Sequence, residues 1–296
     1  MFQRANNFTG DVSTWDVGNV TNMTYMFAET NVFNSDLSNW DVSKVTDMSY
    51  MFRNAISFNQ YLDQWDVGNV TTMQGMFYLA ENFNQPLDNW DVSKVITMQN
   101  MFNGARNFNQ PLNQRDVSKV TTMQAMFNGA TNFNGSLSGW DTSSLTGEGM
   151  RTMFQSAASF NQPLNHFKTD NVTSLYATFN GANNFNQDLD NWNTSKITNM
   201  SAAFMGTVKF NGNISTWDTS QVTSIWGIFY NAAIFNNDIT SWDMGNVGNT
   251  SLMFFLAPRF NQDISVWDVH SLSIMNQMFE GTEFFNQDLS SRNVAN

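Results

Sequence analysis

The chain has 296 residues, no cysteine, and only 13% charged residues, with a formal net charge of −12 at pH 7. Such acidity argues against nucleic acid as a partner, because its phosphates would be repelled, and the lack of thiols removes disulfides and thiolate metal sites. No apolar run approaches the roughly 18 residues of a membrane span, and the start, Met1-Phe2-Gln3-Arg4, has neither the basic nor the apolar region of a secretory signal.

Read in chain order, the first residues already belong to a repeat. Met1-Phe2 is in register with Met26-Phe27 and Met51-Phe52, and the period is 25 residues. The clearest copy contains Phe33-Asn34, Leu37, Trp40-Asp41-Val42, Val45-Thr46, Met48 and Met51-Phe52. One period later Phe58-Asn59, Leu62, Trp65-Asp66-Val67, Val70-Thr71, Met73 and Met76-Phe77 return. A fixed period of this size is the mark of a repeat architecture.

Within the copy, Leu37, Trp40 and Val42 have the spacing of a short strand. Trp40 and Val42 share its inner face and Asp41 takes the outer one. Val45, Met48, Phe52 and Ala55 follow at steps of three and four, which predicts a short amphipathic helix. Thr46 and Asp47 would supply its cap and an acidic first turn, and Phe58 would close the copy by pointing inward. Neither element can bury its apolar side alone, so copies must stack.

Residues 1–140 are the most regular, broken only by Arg115 in the column of Trp15, Trp40, Trp65, Trp90 and Trp140. Residues 141–178 are the least regular. They hold a two-residue insertion around Gly147-Glu148, Phe167 in the Trp column, Lys168 in the Asp column, and Thr178 where Met is usual. From 179 the register returns, with Ile214, Ile239 and Ile264 in place of Leu. No linker or charge run divides the chain, so a single repeat array over 1–296 is expected. It begins and ends in mid-repeat without polar caps, which suggests a segment of a longer array or ends that meet other copies.

Three features carry the candidate chemistry. The first is an Asn column that includes Asn34, Asn59, Asn84, Asn109, Asn186 and Asn261. An amide both donates and accepts, so this column reads as a structural ladder satisfying turn backbone groups. The second is the Asp column, with Asp41, Asp66, Asp91 and Asp116 facing outward about 4.8 Å apart. Neighbouring charges would repel by about 1 kcal/mol even in a water-like dielectric. Hydrogen bonds from nearby Ser, Thr or backbone N–H groups are the expected compensation. A row of bound Ca²⁺ is the alternative, but calcium wants six to eight oxygens and one carboxylate per copy is too few. No metal site and no cofactor are therefore expected. The third is Trp226, which aligns with Ser49, Gln74, Gln99 and Gln124 off the apolar stripe and is expected to be exposed, a candidate contact residue alongside Lys168.

The run from Phe33 to Phe52 resembles the BspA-like leucine-rich-repeat surface proteins, with their lipoprotein-associated repeats of about this length, over essentially the whole chain. The resemblance implies an α/β repeat: a right-handed leucine-rich-repeat solenoid of about 12 strand–helix copies with a parallel sheet on one face. It also implies display outside the cell, on a cell or particle surface, and a role in recognition or adhesion toward a protein or glycan ligand. The family offers no catalytic residues to transfer. His166 and His270, the only histidines, lie four register steps apart and could not meet in a regular stack, which removes the usual base for nucleophilic catalysis. An enzyme is not expected. The competing reading is a structural building block whose uncapped ends self-associate into a filament or shell.

Overall fold

Each 25-residue copy is built from tight turns. In the copy around Trp40, backbone N–H groups reach back three residues: Trp40 to Leu37 O at 3.1 Å, Val45 to Val42 O at 2.9 Å, Met51 to Met48 O at 3.2 Å, Ala55 to Phe52 O at 3.0 Å and Phe58 to Ala55 O at 3.0 Å. Between these turns every second N–H points to another copy. Thr46 N donates to Thr21 O at 2.9 Å, Met48 N to Thr72 O at 3.2 Å, Tyr50 N to Gln74 O at 2.8 Å and Phe52 N to Met76 O at 2.9 Å. The resulting rungs include isolated parallel bridges, such as Asn22 to Asp47, Asp47 to Thr72 and Thr72 to Thr97.

The computed structural model describes residues 1–290, so Arg292 and Asn293, which continue the Trp and Asp columns, lie outside the described residues. The chain divides into two compact units, Met1–Ser144 and Leu145–Asn296, and the division falls inside the irregular stretch 141–178.

The expected strand–helix alternation does not form: the described residues contain neither an α-helix nor an extended strand. The reason lies in the backbone. Tyr50 and Asn54 have φ of 56° and 54°, and the equivalent positions in other copies are left-handed too. A helix needs consecutive right-handed residues. Tyr50 interrupts that run between Met48 and Phe52, and the N–H groups that a helix would spend on its own carbonyls go to the adjacent copy instead. Thr46 is accordingly not a helix cap. Its hydroxyl and its N–H both reach Thr21 O. Leu37–Trp40 is a turn, not a strand.

The core expected from the pattern nevertheless forms. Leu37, Trp40, Val42, Val45, Met48, Phe52, Ala55 and Phe58 are all buried. Two Phe columns run side by side, with Phe52 and Phe77 centred 5.6 Å apart along one and Phe58 and Phe83 6.1 Å apart along the other. Between the columns, Phe52 and Phe58 stack at 3.9 Å. The second unit repeats this, with Phe204 on Phe229 at 5.8 Å and on Phe210 at 4.0 Å.

The rings of the Trp column point inward, except Trp15, which is 39% exposed. Each buried indole N–H donates to a backbone carbonyl 28 residues earlier: Trp65 to Leu37 O at 2.9 Å, Trp90 to Leu62 O at 2.9 Å, Trp140 to Leu112 O at 2.7 Å and Trp217 to Leu189 O at 3.0 Å. Arg115, in the same column, is buried and donates from Nη2 to Leu87 O, the carbonyl an indole would have used.

Candidate recognition surface

The turns are held in register by the Asn column. Asn59 N donates to Asn34 Oδ1, Asn84 N to Asn59 Oδ1 and Asn109 N to Asn84 Oδ1, each at 2.9 Å. In the second unit Asn186 N meets Asn161 Oδ1 at 2.9 Å and Asn261 N meets Asn236 Oδ1 at 2.8 Å. Gln side chains reinforce the ladder, as where Gln110 Nε2 donates to Asn84 O at 3.0 Å. The ladder is half-buried or exposed, not deep in the core.

Beside it the Asp column faces solvent. Asp41 Oδ1 accepts Ser43 N at 3.0 Å and Ser43 Oγ at 2.6 Å. Asp66 accepts Gly68 N, Asp91 accepts Ser93 N and Asp116 accepts Ser118 N, each at 3.0 Å. Every carboxylate thus folds back on its own turn, as Asx side chains do. The Ser43 hydroxyl, then the Ser43 backbone N–H, hold the Asp41 carboxyl below the ordinary value of 3.8, and Lys44 adds to this. Ser93 and Ser118 do the same for Asp91 and Asp116. Among the described residues no three His, Asp or Glu side chains converge as a metal ion would need. Lys168 is exposed, and Asn193, next in that column, accepts Ser195 N and donates to Asp170 Oδ1 at 2.8 Å.

A second strip, of half-buried side chains, runs along the paired segment at the positions of Tyr50 and Arg53 and of Gln74, whose counterpart Ser49 is buried. In the first unit Tyr25 stacks on Tyr50 at 4.9 Å and 9°, and Gln74 Nε2 donates to the Tyr50 hydroxyl at 2.9 Å. The Tyr50 ring crosses Gly75, where an added Cβ would come within 2.3 Å of its Cε1. Arg53 lies 5.7 Å over the Tyr78 ring and 3.9 Å from Glu29. The second unit carries Arg151 over Tyr176 at 4.8 Å and Tyr230 stacked on Phe255 at 5.0 Å.

Trp226 belongs to this strip, but the expectation of an exposed ring is corrected. It is half-buried, in a backbone whose Trp226 O accepts Ala202 N at 2.8 Å and whose next residue, Gly227, has φ of 57°. Asp41, Asp66, Asp91 and Asp116 come together in one row of the first unit, whereas Lys168 and Trp226 lie in the second. Tyr50, Arg53, Gln74, Tyr78, Arg151 and Tyr176 were not singled out by the sequence pattern. Their signal is the opposite of a repeat: they occupy columns where the residue type changes from copy to copy.

The family model described as "Mycoplasma protein of unknown function, DUF285" matches residues 1–87, 58–148, 98–211, 148–233 and 173–292. Among solved structures the chain is similar to that of a TLR13–ssRNA13 complex, with 12% identity and a TM-score of 0.32, over 90% of this chain and 41% of that one. It is also similar to an internalin (inlF) from Listeria monocytogenes, with 10% identity and a TM-score of 0.26, over 88% of this chain and 80% of that one. The chain therefore spans less than half the length of the first of these structures. A search of curated proteins returns no match.

Proposed function

The chain belongs to the DUF285 family, and on that premise we propose that it is a recognition module that binds through side chains displayed on a repetitive, turn-built framework. The observation that carries this reading is the contrast between columns. Buried Phe, Trp and Met and the half-buried Asn ladder recur copy after copy, while the strip bearing Tyr25, Tyr50, Arg53 and Tyr78 changes. Flat rings bordered by amides and a guanidinium suit apolar side chains or the faces of sugar rings, so the ligand is a protein or a glycan. The finer assignment, a BspA-like protein acting in adhesion outside the cell, is part of the same proposal, as is an acidic row that favours basic groups on the partner. Among the described residues no helix is long and apolar enough to cross a membrane.

The test is binding to immobilised glycans and to intact cells by the whole chain and by Tyr50→Ala with Tyr78→Ala. About a tenfold loss of binding with an unchanged thermal midpoint supports the strip. Undiminished binding by the double variant overturns it.

A second reading, end-to-end stacking of copies into an assembly, draws on the last described copy. There Trp267, Leu272, Met275, Phe279 and Leu289 line an apolar hollow of about 220 Å³. Sedimentation that shifts to larger species with concentration, and reverts with Phe279→Asp, favours assembly. A constant monomer removes it.

A further inference from the structure

The first unit carries an open recess of about 520 Å³ between two neighbouring copies, with Thr9, Asp11, Asn34, Ser35, Asp36 and Asn39 in its lining. It exists because the filling seen in other copies is missing. In the next three copies the column of Ser35 holds Gln60, Gln85 and Gln110, whose amides reach back to Asn34 O, Asn59 Oδ1 and Asn84 O at 3.0, 3.1 and 3.0 Å. The column of Asp36 there holds Tyr61, Pro86 and Pro111. Ser35 is too short for that reach, and its hydroxyl accepts Val12 N and donates to Asp11 Oδ1, each at 3.3 Å. In the second unit Asp188 and Asp263 return to the Asp36 column, but Gln187 and Gln262 stand beside them and close on Asn161 and Asn236.

The polar groups of the recess are only half spent. Asp11 Oδ1 accepts Ser13 N and the Ser35 hydroxyl, and Asp36 Oδ1 accepts Ser38 N, which leaves the second oxygen of each carboxylate as an unused acceptor. Asn34 Oδ1 serves Asn59 N, while Asn34 Nδ2, the Asn39 amide and the Thr9 hydroxyl meet no partner among the described residues. Acceptors and donors are thus offered together, and hydroxyl groups, which are both, satisfy such a set. A phosphate or carboxylate would be repelled by Asp11 and Asp36, and among the described residues no three His, Asp or Glu side chains converge on a metal ion. Val32, 44% exposed beside the polar groups, offers an apolar patch to C–H groups. The volume lies in the range of small-ligand sites. We propose that this recess binds a neutral mono- or disaccharide, its hydroxyls shared between the free Asp11 and Asp36 oxygens and the Asn34 and Asn39 amides. The proposal rests on the reading of the chain as a recognition module, and it puts the sugar on columns other than those of Tyr25, Tyr50 and Tyr78. Because the recess is open, the affinity is weak, about millimolar.

The experiment is titration of the whole chain with glucose, galactose, N-acetylglucosamine and maltose, followed by amide chemical shifts and by saturation transfer to the sugar. At least one sugar should move the amide signals of Val12, Ser35 and Asn39, with EDTA present as without it. Ser35→Gln, which supplies the amide that Gln60 brings to the same column, should weaken that binding about tenfold without lowering the thermal midpoint. Asp36→Ala should weaken it as much by removing an acceptor. Tyr50→Ala with Tyr78→Ala should leave the titration unchanged, so that failure of the strip and failure of the recess are told apart. If that double variant alone loses the titration, the sugar sits on the strip and the recess proposal falls. It falls too if none of the four sugars moves those amides, if Ser35→Gln and Asp36→Ala bind undiminished, or if EDTA abolishes binding, which would make the recess a cation site.

Discussion

A Trp in this chain is both a volume and a donor, and the two roles can be separated. Trp90→Ala removes the ring and should cost about 3–5 kcal/mol by transfer and cavity terms. Trp90→Phe keeps most of the volume and removes one of the two donors to the Leu62 carbonyl, which Trp65 N still serves, so it should cost about 0.5–1.5 kcal/mol. Urea unfolding measures both, and a Trp90→Phe variant as stable as the wild type would mean that the hydrogen bond contributes nothing. Arg115→Trp should be tolerated or stabilising, because the indole would meet the same Leu87 carbonyl and remove a buried charge. The Asp–Ser turns add a pH dependence. Asp41 is lowered in the folded state, so its contribution is present above the unfolded carboxylate value of about 3.9 and fades as pH falls through the lower folded value. Ser43→Ala should move the Asp41 titration, followed by NMR, back toward 3.8. Most of the buried positions were legible in the sequence, as were the outward Asp41 and the Asn ladder, whereas the half-buried Trp226 and the exposed Trp15 were not. The Tyr25–Tyr50 stack was not, because it depends on Gly75 giving up the space under the Tyr50 ring.

At the scale of the element, a stripe at steps of three and four does not by itself mean a helix. Successive turns closed by i to i−3 hydrogen bonds bring residues three apart to one side just as a helical turn does, so Val45, Met48, Phe52 and Ala55 are buried either way. The distinguishing signal was present in the sequence. Asn54, Gly104, Gly129, Gly181, Gly206, Asn231 and Gly281 recur in one column inside the stripe, and all are left-handed. Glycine and asparagine adopt that region at least cost. Gly104→Ala should therefore destabilise by about 1–2 kcal/mol from the backbone alone. It should cost more in fact, because a Cβ there would lie 2.4 Å from Leu79 Cδ2. A thermal midpoint for Gly104→Ala equal to that of the wild type would contradict the left-handed assignment.

At the scale of the molecule, the same contacts recur, so neighbouring substitutions should not act independently. Asn59 N takes Asn34 Oδ1 while Asn59 Oδ1 serves Asn84 N, which makes each amide both a dependent and a support. Asn59→Ala combined with Asn84→Ala should deviate from additivity by at least about 0.5 kcal/mol, whereas sites far apart without shared partners add within about 0.3–0.5 kcal/mol. A double-mutant cycle in denaturant decides it, and strict additivity for the adjacent pair would mean that the ladder carries no cooperative energy.

The rungs, the indole bonds and the ring stacks all span one period or little more, and this fixes how the chain acquires its shape in time. The loops closed by the rungs have nearly the same length from copy to copy, so the entropy of closure is a nearly constant toll and does not grow along the chain. Ordering within each unit can begin at any well-formed copy and spread to its neighbours like a zipper, with a rate set by that local step and not by chain length. For a ribosome-bound chain, a copy can dock as soon as the one before it is complete, and it need not wait for the rest to be synthesised.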